Sequence, residues 1–255
     1  MVDEIGTVHA LSGVVVILLV DYLARHRTWG WLQLAQGAMS FRGTPGLLFI
    51  KVMGSGHEGG FSLRPSPSHQ GLVCLFEDQA KADAFVTGHK VKTFVTRSRG
   101  HWLGTLAITS ARGLWDNNTI APTPSECLNL PFATDRSDSG LVAVLTRASI
   151  RPVKAMSFWR FAPGTQSDIK RASGCQLAMG LGEVPLFRQC TFSLWDCTAS
   201  MLSYAHQGTH RQAIVAAHKN DYFAESMFLR MRVLAMGGCW QGTDFGQTPE
   251  ANHAR

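Results

Sequence analysis

The chain has 255 residues, with 24 Lys and Arg against 18 Asp and Glu, a formal net charge of +6. Its 45% hydrophobic content excludes a disordered chain, and a mean hydropathy of +0.01 excludes a polytopic membrane protein. Only 16% of residues are charged, against about 25% in an average globular protein, so an unusual share of the surface is expected to be apolar, as suits a greasy ligand or a homodimer interface.

Residues 1–12 read as a loose leader. Residues 14–20 are a Val/Ile/Leu run closed by Asp21, far short of the ~20 residues of a spanning helix, and read as a strand covered on both faces. Over residues 28–39, Trp29, Leu32, Ala35, Gln36 and Met39 fall on one helical stripe. Pro45-Gly46 breaks the chain before a second strand at 47–53. The Gly-rich run 54–60 is a loop between strands and lacks phosphate-loop spacing. A third strand is expected at 72–76, helices at 79–87 and from Lys90, and a fourth strand at 102–109. Residues 117–139, rich in Asn, Thr, Pro, Ser and Asp, read as a linker. Strands then follow at 141–150, 177–182, 189–195 and 229–235, with helices at 158–161, 199–205 and 210–218.

The two sides of the linker look alike. Phe76-Glu77-Asp78, a helix and His89 parallel Trp195-Asp196-Cys197, a helix and His210; Ala111-Arg112-Gly113-Leu114-Trp115 parallels Met236-Gly237-Gly238-Cys239-Trp240. Each side reads β-α-β-β-α-β, the ferredoxin-like order. The expected fold is α+β, with duplicated ferredoxin-like repeats forming a dimeric-α+β-barrel-type fold within one chain. Its expected parts are a first half at 14–116, a linker at 117–140 and a second half at 141–242.

The basic residues form no run, which argues against nucleic acid as a partner; an anionic membrane surface stays a candidate neighbour. The six cysteines form no C-x-x-C pair and no segment reads as a secretory signal, so reduced thiols in a cytoplasmic protein are expected. No HExxH, zinc quartet or nucleophile elbow occurs. Gln189, Thr191 and Ser193 alternate with Cys190, Phe192 and Leu194, so they share one strand face. Arg147, Ser149 and Arg151 form a similar set, and Arg230 and Arg232 share a face of the last strand. Each set suits either a polar site lining or solvent.

Two stretches carry a family resemblance. One runs from Thr44-Pro45-Gly46-Leu47-Leu48-Phe49-Ile50-Lys51-Val52-Met53-Gly54-Ser55-Gly56 to Gly60-Phe61. The other runs from Gly180-Leu181-Gly182-Glu183-Val184-Pro185-Leu186 through Gln189-Cys190-Thr191-Phe192-Ser193-Leu194-Trp195, with His210-Arg211-Gln212-Ala213-Ile214, Tyr222-Phe223-Ala224-Glu225 and Arg230-Met231-Arg232-Val233-Leu234. Together they resemble the spheroidene monooxygenase family of carotenoid biosynthesis, over most of residues 14–242, as a divergent member.

The resemblance implies a haem-dependent oxygenase of dimeric α+β barrel type. Such an enzyme inserts oxygen from O2 or peroxide into an apolar small molecule, drawing on an unidentified electron donor. It implies haem b, held without covalent attachment since no C-x-x-C-H occurs. It also makes His210 the axial ligand to iron, with His218 as runner-up and His206 as a neighbour, and sets Arg230 and Arg232 against the propionates. Gln189, Thr191, Ser193 and Arg151 become the polar groups of the oxygen side. Haem enzymes that dehydrate, oxidise nitrogen or form N–N bonds, a non-catalytic haem carrier and a cofactor-free binding barrel are the competing readings.

Overall fold

A computed structural model describes residues 9–60, 62, 64–129, 140–159, 169, 171–206 and 220–246. After a short strand β1 (His9–Leu11), the first half supplies β2 (Val14–Tyr22), β3 (Leu47–Gly56), β4 (Pro65–Phe76) and β5 (Ser98–Gly113). A small strand β6 (Asn118–Ile120) precedes β7 (Val142–Ile150), β8 (Cys175–Val184), β9 (Arg188–Trp195) and β10 (Phe223–Gly237). The eight long strands close into one barrel in the order β10-β5-β2-β4-β3-β8-β9-β7. Every neighbouring pair in it is antiparallel.

Numbered within each half, the sheet of residues 14–113 and that of residues 142–237 both run fourth, first, third, second: β5-β2-β4-β3 and β10-β7-β9-β8. The two sheets join along β5 and β10 over a long ladder, and along β3 and β8 through the pair Gly54 and Gly182. Helix α1 (Arg27–Gln36) connects β2 to β3, and α2 (Gln79–Val86) and α3 (His89–Thr96) connect β4 to β5. In the second half, residues 155–159 are helical after β7, and the helix Thr198–His206 follows β9.

Alternation along each strand separates inside from outside. Val15, Ile17 and Leu19 of β2 point into the barrel with Trp102, Leu106, Met179, Phe192, Leu194 and Met231. Val14, Val16, Leu18 and Val20 point outward beneath the helices, which explains why β2 is buried along its length except at Asp21. The interior is a packed core, closed at its two ends by Trp115 and Trp240, both almost fully buried. Each tryptophan follows a strand that turns at a glycine: Gly113 has φ +94° and Gly238 φ +106°. A Cβ there would lie 2.0 Å from the Ser226 carbonyl oxygen or 2.4 Å from that of His101, so only glycine makes either turn.

Two expectations change. The end of the expected leader, His9–Leu11, pairs in parallel with Asn118–Ile120 of the expected linker, and Leu11 and Ile120 pack on the interior cluster. The strand expected at 72–76 begins at Pro65, because its polar start is bonded and buried. Gln70 accepts from Tyr22 Oη at 3.1 Å and donates to the Gly30 carbonyl at 2.8 Å, while the Ser66 hydroxyl bonds His69 Nδ1 at 2.9 Å. All six cysteines carry free thiols.

Candidate active site

The outer faces of the two sheets differ in what they offer a ligand. In the first half, one row across the sheet is Val52, Leu72, Leu18 and Leu103. Phe41, Phe85, Val91 and Phe94 cover that face, and Trp29 packs edge-on against Phe94 at 5.0 Å.

In the second half, the row in the corresponding register is Gly180, Thr191, Thr146 and Phe228. On one side of it lies the row Gly182, Gln189, Ala148 and Ser226; on the other, Ala178, Ser193, Val144 and Arg230, followed by Trp195, Val142 and Arg232. Glycines, alanines and valines form much of the floor, with Phe228 and Trp195 as its large side chains; hydroxyls and an amide stand among them, and two guanidinium groups lie along one edge. The helix Thr198–His206 packs near the Trp195 end, where Met201 is buried and Tyr204 lies 5.3 Å from the Trp195 ring.

This face gathers most of the described residues expected at the site. Gln189 and Thr191 are half-buried on it; Ser193 is buried and its hydroxyl accepts from Trp195 Nε1 at 2.9 Å. Arg230 and Arg232 are half-buried on the same face, one row apart. Arg151 lies apart, just beyond β7 at the barrel rim, and its Nε pairs with Asp221 at 3.1 Å. His206 is exposed at the end of its helix. His210 and His218 lie outside the described residues. Among the described residues, no three His, Cys, Asp or Glu side chains cluster as a metal site.

A charged cluster inside one barrel end was not expected from the sequence. The Arg147 side chain is fully buried and bonds three carboxylates: Asp116 and Glu183, each at 3.2 Å, and Glu225. Lys51 pairs with Asp116 and, at 3.4 Å, with Glu183; Arg188 reaches Asp116 at 3.3 Å. Trp115 Nε1 donates to Glu183 at 2.8 Å. Burial pushes the Asp116 carboxyl up, but the Lys51 hydrogen bond and the charges of Lys51, Arg147 and Arg188 outweigh it and hold the group below the ordinary carboxylate range. Glu225 is likewise pushed up by burial, yet the Asn117 amide, Arg147 and the Asp116 amide leave it lowered. Desolvation opposes charge on Arg147, and the surrounding carboxylates overcome it and raise its pKa. The cluster seals a mouth of the core, which removes the barrel interior as a substrate site. Its sequence signal was Arg147 itself, which takes an inward register position after Ala143 and Leu145.

Comparison with known proteins decides the family. The chain is 44% identical over 234 residues to a spheroidene monooxygenase of Rubrivivax gelatinosus, covering 91% of this chain and 87% of that protein. It is 34% identical over 206 residues to a spheroidene monooxygenase of Rhodobacter capsulatus, covering 78% and 81%. The chain belongs to the spheroidene monooxygenase family. It is accordingly a monooxygenase, an oxidoreductase. No family model matches the chain. Among solved structures, an aldoxime dehydratase crystallised with butyraldoxime covers 86% of this chain and 79% of its own with a TM-score of 0.55. At 8% identity that likeness concerns the fold.

Proposed function

We propose that the protein binds haem b on the outer face of the second-half sheet and inserts oxygen, from O2 or peroxide, into an apolar polyene of the spheroidene type. The electrons come from a separate donor. The observation that carries this reading is the row Gly180, Thr191, Thr146 and Phe228, in which a glycine and two threonines stand where the first half has Val52, Leu72 and Leu18, with Phe228 the one large side chain. A flat apolar macrocycle with two carboxylates needs a floor without large side chains and cations at one edge. Ala178, Gly180, Ala148 and Gly182 fit the first need, and Arg230 and Arg232 the second.

When bound, haem supplies the oxygen-activating iron. The chain's own residues do the rest. Arg230 and Arg232 orient the group by its propionates. His210 would hold the iron, with His218 as runner-up, on the stretch His210-Arg211-Gln212-Ala213-Ile214 that carries the family resemblance. Phe228 and the alanines exclude water from the reacting centre. The Ser193 hydroxyl accepts from the Trp195 indole N–H and keeps its own O–H to donate, so Gln189, Thr191 and Ser193 would be the groups that stabilise negative charge on oxygen. Arg151, paired with Asp221 at the rim, is assigned to the edge of the site.

We further propose that the halves 14–116 and 141–242 are duplicated ferredoxin-like repeats joined by 117–140, a reading supported by their common strand order. The purified protein, reconstituted with haem, is expected to hold one haem per chain that acid-acetone extracts, and to oxygenate spheroidene with a chemical reductant and O2 or with peroxide. A protein that stays colourless after reconstitution contradicts the proposal.

A further inference from the structure

Helix α1 carries an apolar stripe on its solvent side. Its inner face is committed to the fold: Trp29 packs edge-on to Tyr22 at 5.7 Å and to Phe94, and Gly30 lets the Tyr22 ring approach so closely that a Cβ would lie 2.5 Å from it. Leu34 lies over Gly54. Trp31, Leu32 and Ala35 are left outward, and the following helical turn, Gly37–Phe41, adds Met39. Trp31 is 45% exposed, Leu32 52% and Met39 64%, with Leu48 beyond them at 39%.

The charge carried by this stretch of chain has one sign, and the neighbouring carboxylates Glu77 and Asp78 are both paired with Lys81. From Tyr22 to His57 the sequence contains Arg25, Arg27, Arg42 and Lys51 and no acidic residue. Lys90 joins the patch from α3, donating to the Ser40 carbonyl at 2.8 Å. Among the described residues, Arg25, Arg27, Arg42 and Lys90 enter no ion pair with a carboxylate. An exposed Trp/Leu/Met stripe flanked by unpaired cations matches the pattern of helices that lie in a lipid headgroup layer: apolar side chains enter the acyl boundary and cations meet anionic lipid. A second copy of the chain would bring like charges together at this face.

We propose that α1 and the turn after it dock the protein on an anionic bilayer, where a polyene substrate would be dissolved. The surface is the solvent side of α1, whose Leu34 lies over Gly54 beside Gly182 of the proposed haem floor, and its outward residues Trp31, Leu32 and Met39 are no part of that floor. It is therefore tested without reference to haem.

The purified protein should co-sediment with vesicles of phosphatidylglycerol and phosphatidylcholine, weakly with pure phosphatidylcholine, and less as salt rises. Leu32→Glu/Met39→Glu, and separately Arg25→Glu/Arg42→Glu, should each reduce binding at least about tenfold. Circular dichroism should stay unchanged. Val153→Glu/Met156→Glu, at the other strongly exposed apolar spot, should bind vesicles as the wild type does. Vesicle binding that survives both α1 variants overturns the proposal, as does binding lost only in the Val153/Met156 variant. A dimer in solution that dissociates on Leu32→Glu/Met39→Glu, with no vesicle binding by the wild type, assigns the face to a second copy instead.

Discussion

The two outer sheet faces occupy matching positions in their halves and have opposite contents. Where the first half sets Ile50, Cys74, Val16 and Thr105, the second sets Ala178, Ser193, Val144 and Arg230. Where the first sets Val52, Leu72, Leu18 and Leu103, the second sets Gly180, Thr191, Thr146 and Phe228. The strand order is the same, so topology does not make the difference. Side-chain volume and polarity do. A face of Val and Leu gains about 25 cal/mol for each Å² it hides and so draws its helices down tightly. A face of Gly, Ala and Thr gains less, and on the proposed reading it is the face that takes a bound group. On the proposed reading, one half stabilises the barrel and the other carries the chemistry.

The largest effect should come from neither face but from the core the halves share. Arg147→Met leaves Asp116, Glu183 and Glu225 without their buried cation and should cost about 4 kcal/mol in urea unfolding, with the haem spectrum of the folded fraction unchanged. The folded pKa values of Asp116 and Glu225 lie below their unfolded ones. Their contribution to stability is therefore full above the ordinary carboxylate range, about pH 4, and is lost as pH falls toward the folded values. The wild-type urea midpoint should fall steeply there, and the fall should flatten in Arg147→Met.

Next in size, Leu72→Thr opens a gap in the filled face and buries a hydroxyl, at a cost of about 3 kcal/mol. It should create no haem site, since its neighbours Val52, Leu18 and Leu103 remain. The reverse exchange, Gly180→Val/Thr191→Leu, rebuilds the first-half row in the second half. It should weaken haem binding by about a hundredfold in a haemin titration, because overpacking costs about 1–3 kcal/mol. The smallest effect is expected from Arg230→Gln, about a tenfold loss of haem affinity. The corresponding first-half change, Thr105→Ala, should leave haem binding untouched.

Much of this architecture was legible in the sequence. Alternation in Val14, Val16, Leu18 and Val20 against Val15, Ile17 and Leu19 marks a strand covered on both faces. The recurrence of Gly-x-Trp at Gly113 and Gly238 marks two strands that end alike. Gln189, Thr191 and Ser193 were placed on one face by period alone. What was not legible depended on distant partners. Arg147, Ser149 and Arg151 look like one polar face, yet Arg147 turns into the core, where three carboxylates from other segments neutralise it, and Arg151 stands at the rim. The stripe over residues 28–39 resembles a core-facing one, but Gly30, Trp29 and Leu34 pack inward and much of the stripe faces out. Periodicity reports that a face is apolar and is silent on what covers it.

The most direct test titrates haemin into the apoprotein and follows the Soret band in wild type, His210→Ala and His218→Ala. The account predicts one equivalent bound by the wild type and an unaltered spectrum in His218→Ala. It predicts a shifted Soret band in His210→Ala, partly restored by added imidazole, which fills the cavity left by the side chain. A wild type that binds no haem, or a native spectrum in His210→Ala with loss in His218→Ala, contradicts it.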